Sequence, residues 1–100
     1  MSGPVGYNYT NVSASAVITP NMGAILHGVI LNSVAATATI QFYDFNSTTN
    51  PVNAITGLWT PGAIVIPTAV SMLDLMGRAS PGGIVVIIAT AAANITVVWS

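Results

Sequence analysis

From residue 14 onward the chain is a series of short apolar runs, rich in β-branched residues and separated by turn residues. Runs of this length and spacing predict an all-β sandwich or barrel. The clearest is residues 37–44. Ala38, Ile40 and Phe42 face one way, and Thr37, Thr39, Gln41 and Tyr43 face the other. That is the period of two expected of a half-buried strand. Residues 24–32, AILHGVILN, are apolar on both alternating faces: Ile25, Val29 and Leu31 on one, Leu26 and Ile30 on the other. This pattern predicts a strand covered on both sides. Gly28 within it marks a bulge or a close backbone approach.

The remaining runs complete the expectation. Residues 14–19 form a strand stopped by Pro20-Asn21, and residues 46–51 a polar turn. Residues 52–58 form a weaker strand ending before a turn at Pro61-Gly62. Residues 63–75 hold one long strand or two short ones, with Pro67 at a break or an edge. Residues 72–78, MLDLMGR, read as a strand end rather than a helical turn, and 77–83, GRASPGG, as a loop. Residues 84–90 and 94–99 are expected to pair as a hairpin across Ala91-Ala92-Ala93. No segment carries helix-capping signals. Residues 1–11 are polar and rich in Gly, Pro, Tyr and Asn, and read as an extended N-terminal arm. The expected organisation is this arm followed by one small antiparallel β-sandwich, jelly-roll-like, over residues 12–100.

Charge changes the picture. The charged side chains are Asp44, Asp74 and Arg78, which is 3% of the sequence against 53% hydrophobic residues. Soluble domains usually carry about a quarter charged residues. With net charge −1, almost no repulsion keeps copies apart. Such a surface is either covered by neighbours or placed in lipid. With no cysteine to staple it, a domain this small gains stability most directly by oligomerising. The charge balance also excludes electrostatic binding to nucleic acid or anionic lipid. Residues 1–10 lack the charged and apolar regions of a signal peptide. The best candidate membrane span, residues 83–99, is at the short limit. It contains Thr90, Asn94 and Thr96, has no Lys or Arg anchors, and favours strand.

Candidate chemistry is sparse. His27 is the sole histidine. Inside an apolar strand it reads as a hydrogen-bonded structural residue. A Ser–His–Asp site would have to join it to Asp44 or Asp74, and no nucleophile-elbow sequence is present. Residues 44–50, DFNSTTN, place oxygen side chains at alternating positions, as a calcium loop begins. Thr49 stands where that loop needs Gly, and Ile55 where it needs Glu. A turn bonded to its own backbone explains the same residues. No enzyme, metal or cofactor is therefore expected. Arg78, the lone cation, is either a solvated loop residue or the partner of Asp74 or Asp44, in its own chain or a neighbour's. Trp59 beside a turn and Trp99 in the last run are candidate interface anchors, with core packing as the alternative. Tyr7 and Tyr9 lie in the arm, where they are placed to dock on a partner. Tyr7, Tyr9, Trp59, Asp74, Arg78 and Trp99 form the candidate interface set.

Three stretches carry a family resemblance. They are GAILHGVILN (23–32), ATIQFYDFNSTTNPVNAITG (38–57) and GGIVVIIATAAANITVVWS (82–100). A glycine-started apolar strand, a strand ending in Tyr43-Asp44 before a polar turn, and a closing Ile95-Thr96-Val97 with Trp99 resemble small virion proteins of tailed bacteriophages. These are the β-sandwich capsid decoration (cement) or head-fibre proteins. The family often carries an acidic residue before the closing strand, where this chain has Asn94. The resemblance implies a non-enzymatic structural protein on the capsid surface of a virion. It implies copies associated as homotrimers that bridge neighbouring major capsid subunits. Two other readings compete: a tail, fibre or other self-assembling virion module, and a small membrane protein.

Overall fold

The computed structural model describes residues 7–20, 23–63 and 71–100, with the backbone alone described over 71–76. Seven strands are present among them: β1 (Asn8–Val12), β2 (Ala16–Thr19), β3 (Ala24–Val34), β4 (Thr39–Tyr43), β5 (Ser71–Ser80), β6 (Ile84–Ala89) and β7 (Ala93–Trp99). They form two antiparallel sheets, one of four strands in the order β1-β7-β3-β5 and one of three in the order β2-β6-β4. No described residue is helical.

The pairing has a simple logic. β1 pairs with β7, β2 with β6 and β3 with β5. The first half of the chain thus meets the second half in reverse order, as one long hairpin would. Successive rungs of this hairpin fall in opposite sheets, so the ribbon is rolled into a sandwich. This is jelly-roll architecture. Among the described residues, the tip of the hairpin is an irregular edge. Residues 53–59 run along β4, with Ile55 N–H donating to Phe42 O at 3.0 Å. Trp59 and Ile40 exchange backbone bonds at 2.8 and 3.0 Å.

Strand alternation sends one face of each sheet inward. The four-stranded sheet contributes Ala24, Leu26, Val29, Leu31, Val34, Ala93, Ile95 and Val97, and the three-stranded sheet Ile18, Ile40, Phe42, Ile84 and Val86. Ala38, Ile40 and Phe42 are buried as their alternation predicts. Burying one such apolar side chain contributes about 1.5–3 kcal/mol.

β3 departs from the expected two-sided burial. Its register shifts between Leu26 and Gly28, and again between Leu31 and Ser33. Each bulge adds one residue and flips the pleat. The inward set therefore runs Ala24, Leu26, then Val29, Leu31, then Val34. One buried face, interrupted twice, produces a sequence that looks apolar on both.

Four other expectations are corrected. β6 and β7 are not a hairpin: they lie in different sheets, and residues 90–92 carry the chain from one to the other. Thr90 takes φ 74° at this crossing, a conformation β-branched residues rarely adopt. Residues 77–80, expected in a loop, extend β5, because β3 continues far enough to pair Ser80 with Ala24. The segment expected as an arm over 1–11 is, from Asn8, the edge strand β1, paired with β7 without a register break. Backbone pairing and the bond from Trp99 Nε1 to Thr10 Oγ1 at 2.9 Å hold this polar segment. The expected weak strand at 52–58 is reduced to isolated bridges at Ala54 and Trp59. Most of the run expected over 63–75, with Pro67, lies outside the described residues.

Candidate functional site

Two surfaces are available, the outward faces of the two sheets. On the four-stranded sheet, mutual bonds between Ile25 and Ser100 at 2.9 and 3.0 Å extend the β3–β7 pairing past Trp99. Leu26 and Trp99 pair toward the core, so Ile25 and Ser100 face outward. His27, the extra residue of the first bulge, lies above this row. Its Nε2 is 2.8 Å from Ser100 Oγ, and the Tyr7 ring stacks on the imidazole with centroids 4.2 Å apart. Tyr9 pairs with Val98, which in turn pairs with Gly28. Val98 is buried on this outward face while Tyr9 stays 47% exposed.

Further along the same face the side chains are amides and hydroxyls. Asn94 Oδ1 accepts from Asn11 Nδ2 at 2.8 Å and from Asn32 Nδ2 at 3.1 Å. Thr96 Oγ1 accepts from Asn32 at 3.0 Å and from Asn11 at 3.4 Å. This uncharged lattice crosses β1, β7 and β3. Composition alone did not reveal it, because its members are up to 85 residues apart in the chain. Its sequence signal is an Asn or Thr at outward positions of each strand.

The sequence-derived candidates fall in three places. Tyr7 and Tyr9 come together on the outward face just described. Trp59 and Trp99 are half-buried and pack against the core, Trp99 with its indole N–H on Thr10. Arg78 and Asp74 lie on the edge strand β5. Arg78 is exposed and its guanidinium reaches Ile55 O at 3.4 Å, across the open side of the sandwich. Asp74 stands opposite Gly28 in the register, and its side chain lies outside the described residues.

Asp44 accepts the backbone N–H of Gly82 through Oδ1, and its own N–H donates to Asn53 O at 2.9 Å. Ser47 Oγ accepts from Thr49 N–H at 3.1 Å, the self-bonded turn anticipated for this segment. Among the described residues no three His, Cys, Asp or Glu groups come together to hold a metal. The His27–Ser100 distance suits a base and a nucleophile. However, Tyr7 covers one imidazole face, and the Ser100 N–H, a natural oxyanion donor, is bonded to Ile25 O. The contact ties the residue after β7 to the first bulge of β3.

Comparison with protein-family models, with curated proteins and with solved structures finds no match. Among the described residues no helix is long and apolar enough to cross a membrane.

Proposed function

We propose that this protein is a non-enzymatic structural component of a virion. It binds the outer surface of a phage capsid as an oligomer and joins neighbouring major capsid subunits. The observation that supports this reading best is the state of its few charges. Among the described side chains, Asp44 and Arg78 are the charged ones, and both are bonded to backbone groups of their own chain. The outward face of the four-stranded sheet is left with Tyr7, Tyr9 and Ile25 exposed and an amide lattice further along it, and Val17 is exposed on the other sheet. A neutral face of this kind is suited to burial against identical neighbours. Its hydrogen bonds do not depend on salt-sensitive ion pairs. Reinforcement follows by mass action: a protein that binds the assembled lattice better than free subunits stabilises the assembled state.

The test is mass by light scattering without detergent and with a chelator present, followed by co-sedimentation with heads of the virus that encodes the chain. The expected result is a discrete soluble oligomer that binds assembled heads in preference to unassembled subunits and raises their disruption temperature. Open-ended assemblies without closed symmetry would move the reading to a fibre module. Material that dissolves only in detergent would move it to a membrane protein.

A further inference from the structure

An open sheet edge presents a row of unpaired backbone groups, and proteins normally blunt such edges with charges, proline, bulges or a covering segment. Three of the four edges here are treated in this way. β2 has four residues, a register shift between Val17 and Thr19, and Pro20 directly after it. β4 is covered by residues 53–59. β5 carries Asp74 and Arg78, and its register with β3 breaks near Gly77, which has φ 74°. β1, with the sequence NYTNV, has no charge, no proline and no register break.

The bonding direction of β1 follows from β7. Ser100 exchanges both backbone bonds with Ile25 of β3, so alternation turns Trp99 and Val97 toward β1. Their partners Asn8 and Thr10 bond inward to β7. The backbone N–H and C=O groups of Tyr9 and Asn11 therefore point away from the sheet. Among the described residues no loop or turn bond reaches them.

We propose that β1 is the pairing edge for a second copy of this chain. Two β1 strands run antiparallel about a two-fold axis and join the four-stranded sheets of two protomers into one. The register that overlaps the whole strand centres on Thr10. It sets Tyr9 opposite Asn11 of the second copy and Asn11 opposite its Tyr9, so that all four outward backbone groups on each strand are used. Thr10 faces its own counterpart as a non-hydrogen-bonded pair, a Thr–Thr contact favourable in sheets. A second copy is the occupant that fits because this edge is self-complementary in that register and opposes no like charges. The inference gives the oligomer of the proposed function an interface, and rests on that reading only for the existence of an oligomer. It differs from the threefold association that the family resemblance implies.

The absence of cysteine gives a clean test. Thr10→Cys places two thiols on Cα atoms about 4.5 Å apart, within disulfide range. Under mild oxidation most of this variant should become a covalent dimer of twice 10.2 kDa. Leu58→Cys, at a position 67% exposed and away from β1, should cross-link far more slowly. Tyr9→Pro removes an outward N–H without touching the β1–β7 bonds, a position where edge strands accept proline. It should weaken association at least tenfold with little change in Tm. Cross-linking of Thr10→Cys no faster than Leu58→Cys, with the wild type still oligomeric, would overturn the edge pairing and leave the oligomer standing. A wild-type chain that stays monomeric at high concentration would overturn both. Should Tyr9→Pro fail to fold, the cysteine pair decides alone.

Discussion

Asn11 and Asn94 lie diagonally across the β1–β7 pair, and the Asn11 amide donates to Asn94 Oδ1 at 2.8 Å. Asn32 donates to the same oxygen from the other side at 3.1 Å. One side-chain oxygen therefore ties together three strands on a face that carries no described charge. Asn94→Ala removes the shared acceptor from two half-open donors. It should cost about 1 kcal/mol and lower Tm by about 4–8 °C. Asn94→Asp keeps the shared acceptor oxygen and makes the bonds charge-assisted, so at neutral pH its Tm should match or exceed wild type. Calorimetry on the pair tests the lattice. Equal losses for Ala and Asp would mean that the oxygen contributes nothing specific.

Asp44 holds the loop between β5 and β6 by accepting the Gly82 N–H. Hydrogen bonds to charged groups contribute about 1.5–3 kcal/mol when well shielded, and partial exposure puts this one at the low end. Asp44→Ala should lower the urea midpoint by about 1 M with an unchanged slope. Calcium or a chelator added to the wild type should leave Tm unmoved, because this carboxylate already serves the fold. A calcium-dependent rise in Tm would reinstate the metal loop that residues 44–50 imitate.

Two glycines separate strain from space. Gly83 sits at φ 105°, and a Cβ there would lie 2.7 Å from Thr19 O and 3.1 Å from Phe45 O, both backbone atoms. Gly83→Ala should therefore destabilise by at least about 2 kcal/mol, through backbone strain and collision together. Gly57 has open space around it and no positive φ. Gly57→Ala should be neutral, or stabilising by about 0.4–1 kcal/mol through the unfolded chain. Chemical denaturation of the two variants checks the contrast.

What was legible in the sequence was whatever alternates locally. Ala38, Ile40 and Phe42 announce a one-sided strand because no bulge interrupts them, and all three are buried. In β3 the same physics is disguised, since the bulges near His27 and Asn32 shift the inward residues by one position each. The β6–β7 connection is not legible locally, because a three-alanine link says nothing about whether the strands share a sheet. That choice is made by β2 and β4 on one side and β1 and β3 on the other. β1 itself has only Val12 packed against the core, so apolar periodicity could not find it. Tyr7 and Tyr9 stand out in the sequence as aromatics in a polar segment, but the asparagine lattice further along their face is assembled only by folding.

The structure changes what a truncation should do. If residues 1–11 were a free arm, removing them would spare the fold and affect only partner binding. Instead such a truncation deletes Asn8, Tyr9, Thr10 and Asn11 from β1. It strips the backbone partners from one side of β7 and takes away the acceptor of the Trp99 indole N–H and a donor to Asn94. Several buried or half-buried groups lose partners at once, each worth about 0.5–1.5 kcal/mol. The total is a large fraction of the 5–15 kcal/mol that holds a domain together. Deletion of residues 1–11 should therefore lower Tm by more than 8 °C, or leave a chain that aggregates through the newly exposed β7 edge. Deletion of residues 1–6 keeps every one of these contacts and is the reference against which the longer truncation is read. Thermal unfolding of the two truncations decides between arm and strand. A cooperative, wild-type transition for the longer deletion would mean that β1 is an ornament on the sandwich rather than one of its strands.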